Sequence, residues 1–354
     1  MEPQARRGPG EPVLKTKDFS FELPDELIAQ APPEVRGLSR MLVIDPASGT
    51  RQHRQVSDLA SLVAPGTLMV FNDTKVRKAR VFGRTEHGGA VEAVFLSPLP
   101  GGRWECLVNK AKKLRLGQVL EFPGGVSARV ETEAGNVRAL AFEPPVTDAW
   151  LEAHGHLPLP PYIKRPDGPA DGERYQTVYA REPGSAAAPT AGLHFTPELL
   201  ASLKKAGAEL AFVTLEVGLG TFLPVRVDNV ADHAMHTERY GISPETAQAL
   251  NRARAEGRPV LAVGTTSLRT LEAAWTPDGF APGQGSTALF ITPGYTFRAV
   301  DQLFTNFHTP ESTLLMLVCA FAGTDFLLES YRQAVGARYR FFSYGDAMLI
   351  RSRA

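Results

Sequence analysis

Four short blocks between residues 189 and 272 combine small residues with side chains that can transfer protons or bind anions. They read PTAGLHFT (189–196), LEVGLGTF (215–222), DHAMHTE (232–238) and GTTSLRTLE (264–272). Each lies near an expected strand-to-helix turn, which is where open α/β sheets and α/β barrels bind their ligands. Together the four blocks predict one active-site face.

The third block is the densest in ionisable side chains. Histidine titrates near neutral pH, so imidazole and carboxylate groups in this arrangement suit general acid–base catalysis. The same groups, with Asp232 and His308 added, could instead bind zinc or iron, although the spacing is not His-Glu-x-x-His and no cysteine is nearby. A third alternative is that the histidines only pack and cap. The candidate acids and bases are His194, Glu216, His233, His236 and Glu238.

The fourth block and the glycines of the second suggest ligand binding by the backbone. Residues 264–267 (GTTS) follow a predicted strand and open a helix. Amides and hydroxyls there can bind a carboxylate or phosphate, and Arg269 could add a charge-assisted hydrogen bond. Helix capping by Thr265 or Thr266 is the alternative. Residues 218–220 (GLG) match only part of a dinucleotide-binding motif, and more simply allow close approach of a ligand.

Two patterns of elements must position these blocks. Between residues 67 and 142, short alternating segments separated by glycine-rich turns predict a small antiparallel barrel or sandwich. Farther on, helices are expected to begin at Thr196, Ser243 and Thr309, each followed by Pro-Glu, and they alternate with apolar strands. Such alternation is typical of a parallel sheet covered by helices.

We therefore predict an α/β domain that is interrupted by an inserted β domain. The α/β domain comprises residues 12–65 and 152–354, and the insertion comprises residues 66–151. Residues 1–11, which are rich in Pro and Gly, are expected to be a disordered tail.

Composition indicates a soluble globular protein of 354 residues, with 43% hydrophobic residues, 21% charged residues and a formal net charge of zero. Two widely separated cysteines argue against a disulfide framework and for a reducing cytoplasm. The longest apolar run, residues 314–322, is far shorter than the ~20 residues of a membrane span and predicts a buried helix. We expect a cytoplasmic monomer without a membrane segment.

Positive charge is concentrated in one part of the chain. Residues 75–115 contain ten Lys or Arg and only three Glu. A phosphate-binding surface on the inserted domain is one interpretation, and an ordinary solvated face is the other. The residues that would contact phosphate groups are Lys75, Arg77, Lys110, Lys112 and Lys113, with Lys164 and Arg165 extending the surface.

Taken with five further motifs, the four blocks resemble the S-adenosylmethionine:tRNA ribosyltransferase-isomerase family of queuosine biosynthesis. The resemblance runs from about Asp18 to the end of the chain. The further motifs are LPDELIAQ (23–30), FNDTK (71–75), RYQTVYA (174–180), TNFH (305–308) and FSYGDAM (342–348). Their combination is far more specific than any single motif.

The resemblance implies that S-adenosylmethionine donates its ribosyl group rather than its methyl group. The ribose moiety moves to the aminomethyl group of 7-aminomethyl-7-deazaguanine at the tRNA wobble position. It is rearranged to an epoxycyclopentane, which gives epoxyqueuosine and releases adenine and methionine. The resemblance also implies a barrel-like α/β domain with an inserted antiparallel β-barrel, and neither a metal nor a redox cofactor.

Residues in the matching motifs become candidates for substrate binding. Two other function classes stay open: a metal-dependent hydrolase that uses the block at 232–238, and a non-catalytic RNA-binding protein built on the basic insertion. The candidate substrate-binding residues are Thr190, Gly192, Phe195, Gly218, Gly220, Thr221, Thr265, Thr266, Arg269, Asn306 and His308.

Overall fold

A computed structural model describes residues 13–109, 111–132, 137–218 and 225–354. The predicted tail at 1–11 lies outside these residues, as do the site candidates Lys110, Gly220 and Thr221.

The described residues form seventeen strands and eight α-helices. The strands are β1 (Arg40–Asp45), β2 (Thr50–Gln55), β3 (Leu68–Asn72), β4 (Thr74–Val76), β5 (Arg80–Thr85), β6 (Ala90–Leu99), β7 (Arg103–Val108), β8 (Val119–Phe122), β9 (Val126–Val130), β10 (Val137–Glu143), β11 (Glu182–Ser185), β12 (Glu209–Leu215), β13 (Glu238–Ile242), β14 (Val260–Val263), β15 (Gly283–Thr287), β16 (Gln302–Asn306) and β17 (Ala347–Ile350). The helices are α1 (Leu59–Leu62), α2 (Asp148–His154), α3 (Pro169–Arg174), α4 (Pro197–Lys205), α5 (Pro244–Ala255), α6 (Thr265–Ala274), α7 (Thr313–Ala322) and α8 (Thr324–Gly336).

Nine strands form one mixed sheet in the order β15-β13-β12-β3-β14-β16-β17-β1-β2. At its centre β12, β3, β14 and β16 run parallel to one another, whereas β13 and β15 are antiparallel additions beyond β12. Alternate residues of β3 enter different apolar clusters: Leu68 and Val70 belong to one, and Met69 and Phe71 to the other. Because alternate side chains point to opposite faces, both faces of the central sheet are covered.

The predicted α/β domain with an inserted antiparallel barrel is confirmed. Strands β5 to β10 close into a barrel in the order β10-β7-β6-β5-β8-β9, with β9 and β10 paired to complete it. The barrel has its own apolar core, which includes Val81, Phe95, Leu120 and Phe142. Strands β4 and β11 form a separate, short parallel pair. Along the chain, β4 lies between β3 of the nine-stranded sheet and β5 of the barrel.

The insertion starts later than the sequence predicts. Leu68–Asn72, which falls within the predicted insertion, is β3 and pairs with β12 and β14 in the nine-stranded sheet. All its residues are buried, and a continuous apolar run of this kind is typical of a strand that is covered on both faces. The barrel strands begin only at Arg80, so we propose residues 80–143 as the inserted domain.

Local capping is confirmed at two of the three predicted helix starts. The hydroxyls of Thr196 and Ser243 each accept a backbone N–H at 3.2 Å from the first turn of α4 and α5. The third prediction, a helix start at Thr309, is wrong, because α7 begins at Thr313 and Ser312 caps it. Glu311 has a φ of 57°, a left-handed conformation that the first turn of a helix cannot contain.

The apolar run at residues 314–322 forms α7 and lies in the core, as predicted. Leu315, Cys319 and Phe321 are buried there. Among the described residues, no single helix is long and apolar enough to cross a membrane; α7 and α8 would meet the criteria of length and composition only as a pair, bent by 114°.

Candidate active site

The carboxyl ends of four parallel strands meet at one edge of the nine-stranded sheet, here called the carboxyl edge. Neighbouring parallel strands place the residues that follow them side by side. β13 runs in the opposite direction and pairs with the end of β12, so its first residue lies at the same edge. The residues brought together are Asp73, Glu216, Glu238, Gly264 and Phe307.

A 3₁₀ turn, Thr190–His194, brings the remaining block to this edge. The His194 ring meets Phe304 of β16 edge-on, with 5.9 Å between ring centroids. A Cβ atom added to Gly264 would lie 3.6 Å from the Cβ of Ala191. The structure therefore assembles parts of all four blocks at the carboxyl edge.

Asn72 and Asp73 lock the end of β12 onto β3. The side chain of Asn72 accepts the Leu215 N–H at 3.0 Å and donates to the Leu215 carbonyl at 3.1 Å. Asp73 accepts the Thr214 hydroxyl at 2.7 Å and the Arg181 guanidinium at 2.8 Å. Both side chains are buried, and together they set where the chain leaves β12. The sequence motif alone assigned these two residues no role.

The segment that follows β12 is held from both sides. On one side the Val217 N–H donates to Ser185 Oγ at 2.7 Å. On the other side the Glu216 N–H donates to the Arg239 carbonyl at 2.9 Å, and Arg239 donates Nε and Nη2 to one Glu216 carboxylate oxygen at 3.1 and 2.7 Å. The Glu216 side chain is 34% exposed, so its carboxylate can be reached from solvent.

Arg269 and Glu238 form an ion pair that is shut off from solvent. Arg269 Nη1 donates to Glu238 Oε2, and the two side chains are 5% and 6% exposed. Glu238 also accepts the Gly218 N–H at 3.4 Å, and Arg269 Nε donates to the Leu289 carbonyl at 3.2 Å. The charge of Arg269 is therefore balanced within the protein. Its Nη2 is buried and has no hydrogen-bond partner in the part of the chain that the structure describes.

Two glycines of the site are required by their surroundings. Gly264 precedes α6 with a φ of 92°, a conformation that favours glycine. A Cβ atom at Gly192 would lie 2.1 Å from the Tyr179 hydroxyl oxygen, so this position admits no side chain. Thr265 and Thr266 open α6 and are buried, but neither caps it. Within the described residues, Thr266 Oγ1 is a buried hydroxyl without a partner.

Asn306 determines the tautomer of His194. Its Nδ2 lies 3.0 Å from the Phe342 carbonyl oxygen, which can only accept, so the amide nitrogen must face this way. The same Nδ2 lies 3.0 Å from His194 Nε2, which therefore accepts and leaves the ring proton on Nδ1. Burial lowers the pKa of His194 to about 3, and the positive charges of Arg340 and Arg36 add to the effect. His194 is thus a neutral imidazole near pH 7.

Two further candidates belong to the interior. Burial lowers the pKa of His308 to about 3, and its Nε2 lies 2.9 Å from the Thr305 hydroxyl. Phe195 is fully buried and packs edge-on against Phe71 and Phe304, with centroid distances of 5.0 and 5.2 Å. We therefore expect His308 and Phe195 to support the carboxyl edge by packing rather than to contact a ligand.

His233 and His236 of the third block differ in exposure. The His233 ring is half-buried and meets Phe290 edge-on at 5.2 Å, whereas His236 is exposed. Burial, and secondarily the charge of His236, lowers the pKa of His233. In the described ranges no group of three or more His, Cys, Asp or Glu side chains is placed to hold a metal ion.

The predicted RNA-contacting residues differ in their environments. Lys75, Lys112 and Lys113 are exposed. Arg77 pairs with Asp148 at 3.1 Å, and Lys164 pairs with Asp25 at 3.3 Å. Arg165 donates to both carboxylate oxygens of Asp171 at 2.6 and 2.8 Å, which ties it into the fold.

Glu272 is a buried carboxylate for which sequence reasoning proposed no role. It accepts backbone N–H groups of Arg298, Ala299 and Val300 at 3.0–3.2 Å and the Tyr295 hydroxyl at 3.1 Å. Burial raises the pKa of Glu272, against the effect of these hydrogen bonds. Glu272 therefore fastens the loop before β16 to α6.

Comparisons with known proteins identify the family of this chain. A family model described as "Queuosine biosynthesis protein" matches residues 16–350. A protein of Anaeromyxobacter sp. (strain Fw109-5) named S-adenosylmethionine:tRNA ribosyltransferase-isomerase is 54% identical, over 95% of this chain and 99% of its own. A protein of the same name from Treponema denticola is 48% identical, over 95% and 100% of the two chains.

A solved structure is similar as well. The crystal structure of S-adenosylmethionine tRNA ribosyltransferase from Thermotoga maritima has a TM-score of 0.55 and 38% sequence identity, and the match covers 94% of this chain and 99% of that one. By sequence and by fold, the chain belongs to the queuosine biosynthesis protein family.

Proposed function

We propose that this chain is an S-adenosylmethionine:tRNA ribosyltransferase-isomerase. It transfers the ribosyl moiety of S-adenosylmethionine to the aminomethyl group of 7-aminomethyl-7-deazaguanine at the tRNA wobble position and isomerises it to the epoxycyclopentane. Adenine and methionine leave. The observation that carries the proposal is the 48–54% identity, over 95% of the chain, to proteins of this name.

We propose groups at the carboxyl edge for two chemical requirements of this reaction. The sulfonium acidifies the neighbouring sugar C–H, so a base must lie close to it. Glu216, a solvent-accessible carboxylate, and His233, a neutral imidazole, are the groups best suited to accept a proton. His194 carries its proton on Nδ1 and is suited to donate a hydrogen bond, for example to departing adenine. His236 and Glu238 stay candidates for positioning.

We propose that the donor lies over the start of α6 and the turn Thr190–His194. The Thr266 hydroxyl and Arg269 Nη2, which have no hydrogen-bond partner among the described residues, support this placement, because buried polar atoms normally have partners. Gly218 lies at the same place, through its contact with Glu238. The rearrangement itself needs no metal or redox cofactor.

We propose that tRNA binds to three exposed lysines. Lys112 and Lys113 belong to the inserted domain, and Lys75 lies on β4, just before it. Lys75 lies on β4, which pairs with β11, and Ser185 at the end of β11 holds the segment next to Glu216. Through this pairing, β4, which carries Lys75, is connected to the segment at the carboxyl edge. That the protein acts as a monomer in the cytoplasm stays a prediction from sequence.

The deciding experiment measures adenine release from S-adenosylmethionine. Purified protein is incubated with tRNA that carries the aminomethyl base, and separately with tRNA that carries guanine at that position. Release only with the modified tRNA supports the proposal. Binding of tRNA without release would favour the non-catalytic RNA-binding alternative, and activity that depends on added zinc would favour the metal-dependent hydrolase.

A further inference from the structure

A cavity beside His194 has an unusual charge distribution. Its lining includes Arg36, Arg174 and His194, together with Ser343 and Tyr344 from the motif before β17. Among the described residues that line it there is no Asp or Glu. The cavity therefore presents two guanidinium groups and a neutral imidazole.

The two arginines hold two loops together through carbonyl groups and not through carboxylates. Arg36 donates to the carbonyls of Gln176 and Glu173, both at 2.9 Å. Arg174 donates to the carbonyls of Pro33 and Glu34 at 2.6 and 3.2 Å. In the part of the chain that the structure describes, neither guanidinium lies within 4.0 Å of a carboxylate.

Two other arginines near the site, in contrast, pair with carboxylates. Arg165 is neutralised by Asp171, and Arg269 is neutralised by Glu238. Arg36 is half-buried and its pKa is lowered, first by burial and then by the neighbouring charge of Arg174, which the exposed Glu173 only partly opposes. Two uncompensated, partly desolvated cations attract an anion strongly, because charge–charge interactions are weakly screened there.

We propose that Arg36 and Arg174 bind an oxyanion of a substrate at the open side of this cavity, which itself has room for about one water molecule, next to His194. Guanidinium groups bind planar carboxylates and phosphates through paired hydrogen bonds. The inference rests on the proposed function, which supplies two such groups: the methionyl carboxylate of S-adenosylmethionine and a phosphodiester of tRNA. A site for the carboxylate here is also consistent with the charge of Arg269 being balanced by Glu238.

The experiment compares Arg174→Gln and Arg36→Lys with the parent protein. Calorimetry measures the affinity for S-adenosylmethionine and for its decarboxylated analogue, and fluorescence anisotropy measures affinity for an anticodon stem–loop RNA at several salt concentrations. If the carboxylate binds here, the parent prefers S-adenosylmethionine roughly 10- to 100-fold over the analogue and Arg174→Gln abolishes this preference. If a phosphate binds here, the salt slope of log K for the RNA falls by about 0.7–0.9.

Controls separate binding from folding. Arg332→Gln changes an exposed arginine that pairs only on the surface with Glu329 and should alter neither affinity. Circular dichroism and thermal unfolding identify a variant that fails to fold, and Arg36→Gln, which removes the other positive charge of the pair, then takes the place of Arg174→Gln. Folded variants that keep both the carboxylate preference and the RNA salt slope would overturn the inference. Because every readout is equilibrium binding, that result would leave adenine release by the parent, and hence the proposed function, untouched.

Discussion

The side-chain amide of Asn306 donates a hydrogen bond to Nε2 of His194 over 3.0 Å and thereby holds the imidazole in its Nδ1–H form. The Phe342 carbonyl oxygen, also 3.0 Å from the amide nitrogen, prevents the amide from turning round. A residue at the end of β16 thus sets the protonation of a residue more than a hundred positions earlier.

Asn306→Asp should reverse this arrangement. A carboxylate accepts rather than donates, so the proton of His194 moves to Nε2 and the His194 pKa rises toward or above its ordinary value. Nitrogen-15 NMR of labelled histidine reads the tautomer directly, and we expect turnover to fall roughly 10- to 100-fold because one well-placed hydrogen bond is removed. Asn251→Asp, at an asparagine of α5 that bonds only the Phe280 backbone, is the matched control. An unchanged His194 spectrum in Asn306→Asp would contradict the assignment.

Breaking the ion pair between Arg269 and Glu238 should destabilise the fold. Removing one partner leaves an uncompensated charge in a site where both side chains are almost fully buried, at a cost of about 3–5 kcal/mol. Urea unfolding of Glu238→Gln, Arg269→Met and the double variant measures this, and the double variant should lose less than the sum. Arg252→Met removes an exposed pair with Glu209 and should cost about 1 kcal/mol or less. Additive losses at Glu238 and Arg269 would mean that the two are not coupled.

Stability should fall when the pH drops below 6.5. Burial lowers the pKa of His194 and of His308 from 6.5 to about 3, so between these values the unfolded chain binds more protons than the folded one. Each histidine then costs at most about 1.4 kcal/mol per pH unit as the pH falls, and its contribution is fully retained above 6.5. Unfolding free energies at pH 7 and pH 5 should differ less for His308→Gln than for the parent. Equal differences would show that His308 ionises normally.

Lys112→Glu with Lys113→Glu should weaken tRNA binding and flatten its salt dependence. Removing one lysine–phosphate interaction lowers the slope of log K against log salt by about 0.7–0.9. Affinity for S-adenosylmethionine should not change, because these lysines lie between strands β7 and β8 of the barrel and not at the carboxyl edge. Lys204→Glu with Lys205→Glu, an exposed pair at the end of α4, carries the same charge change as a control. If both double variants behave alike, the lysines of the insertion form an ordinary solvated face.

Gly192→Ala should destabilise the site through a steric clash. The new Cβ would lie 2.1 Å from the Tyr179 hydroxyl oxygen and 2.8 Å from Thr177 Cγ2. Overpacking of this kind typically costs about 1–3 kcal/mol, and Tyr179→Phe should restore part of it. Gly172→Ala is the matched control, because nothing lies within 4 Å of that Cβ and Gly172 is inside α3. A Gly192→Ala variant as stable as the parent would show that the turn can move.

Local chemistry made much of this protein readable from its sequence. Thr196 and Ser243 cap helices because a hydroxyl can reach a nearby N–H, and the glycine-punctuated alternating strands predicted the barrel. The motifs also identified the family.

What only the tertiary structure decided involves residues far apart in the chain. An apolar run such as Leu68–Asn72 can be a strand of either domain, and only pairing with β12 and β14 places it in the nine-stranded sheet. Likewise, only the fold shows that Glu238 lies against Arg269 and balances its charge. The tautomer of His194 and the uncompensated charges of Arg36 and Arg174 also depend on groups that are distant in the chain. The order of the strands determines which of these groups lie close together, and no local sequence pattern encodes that order.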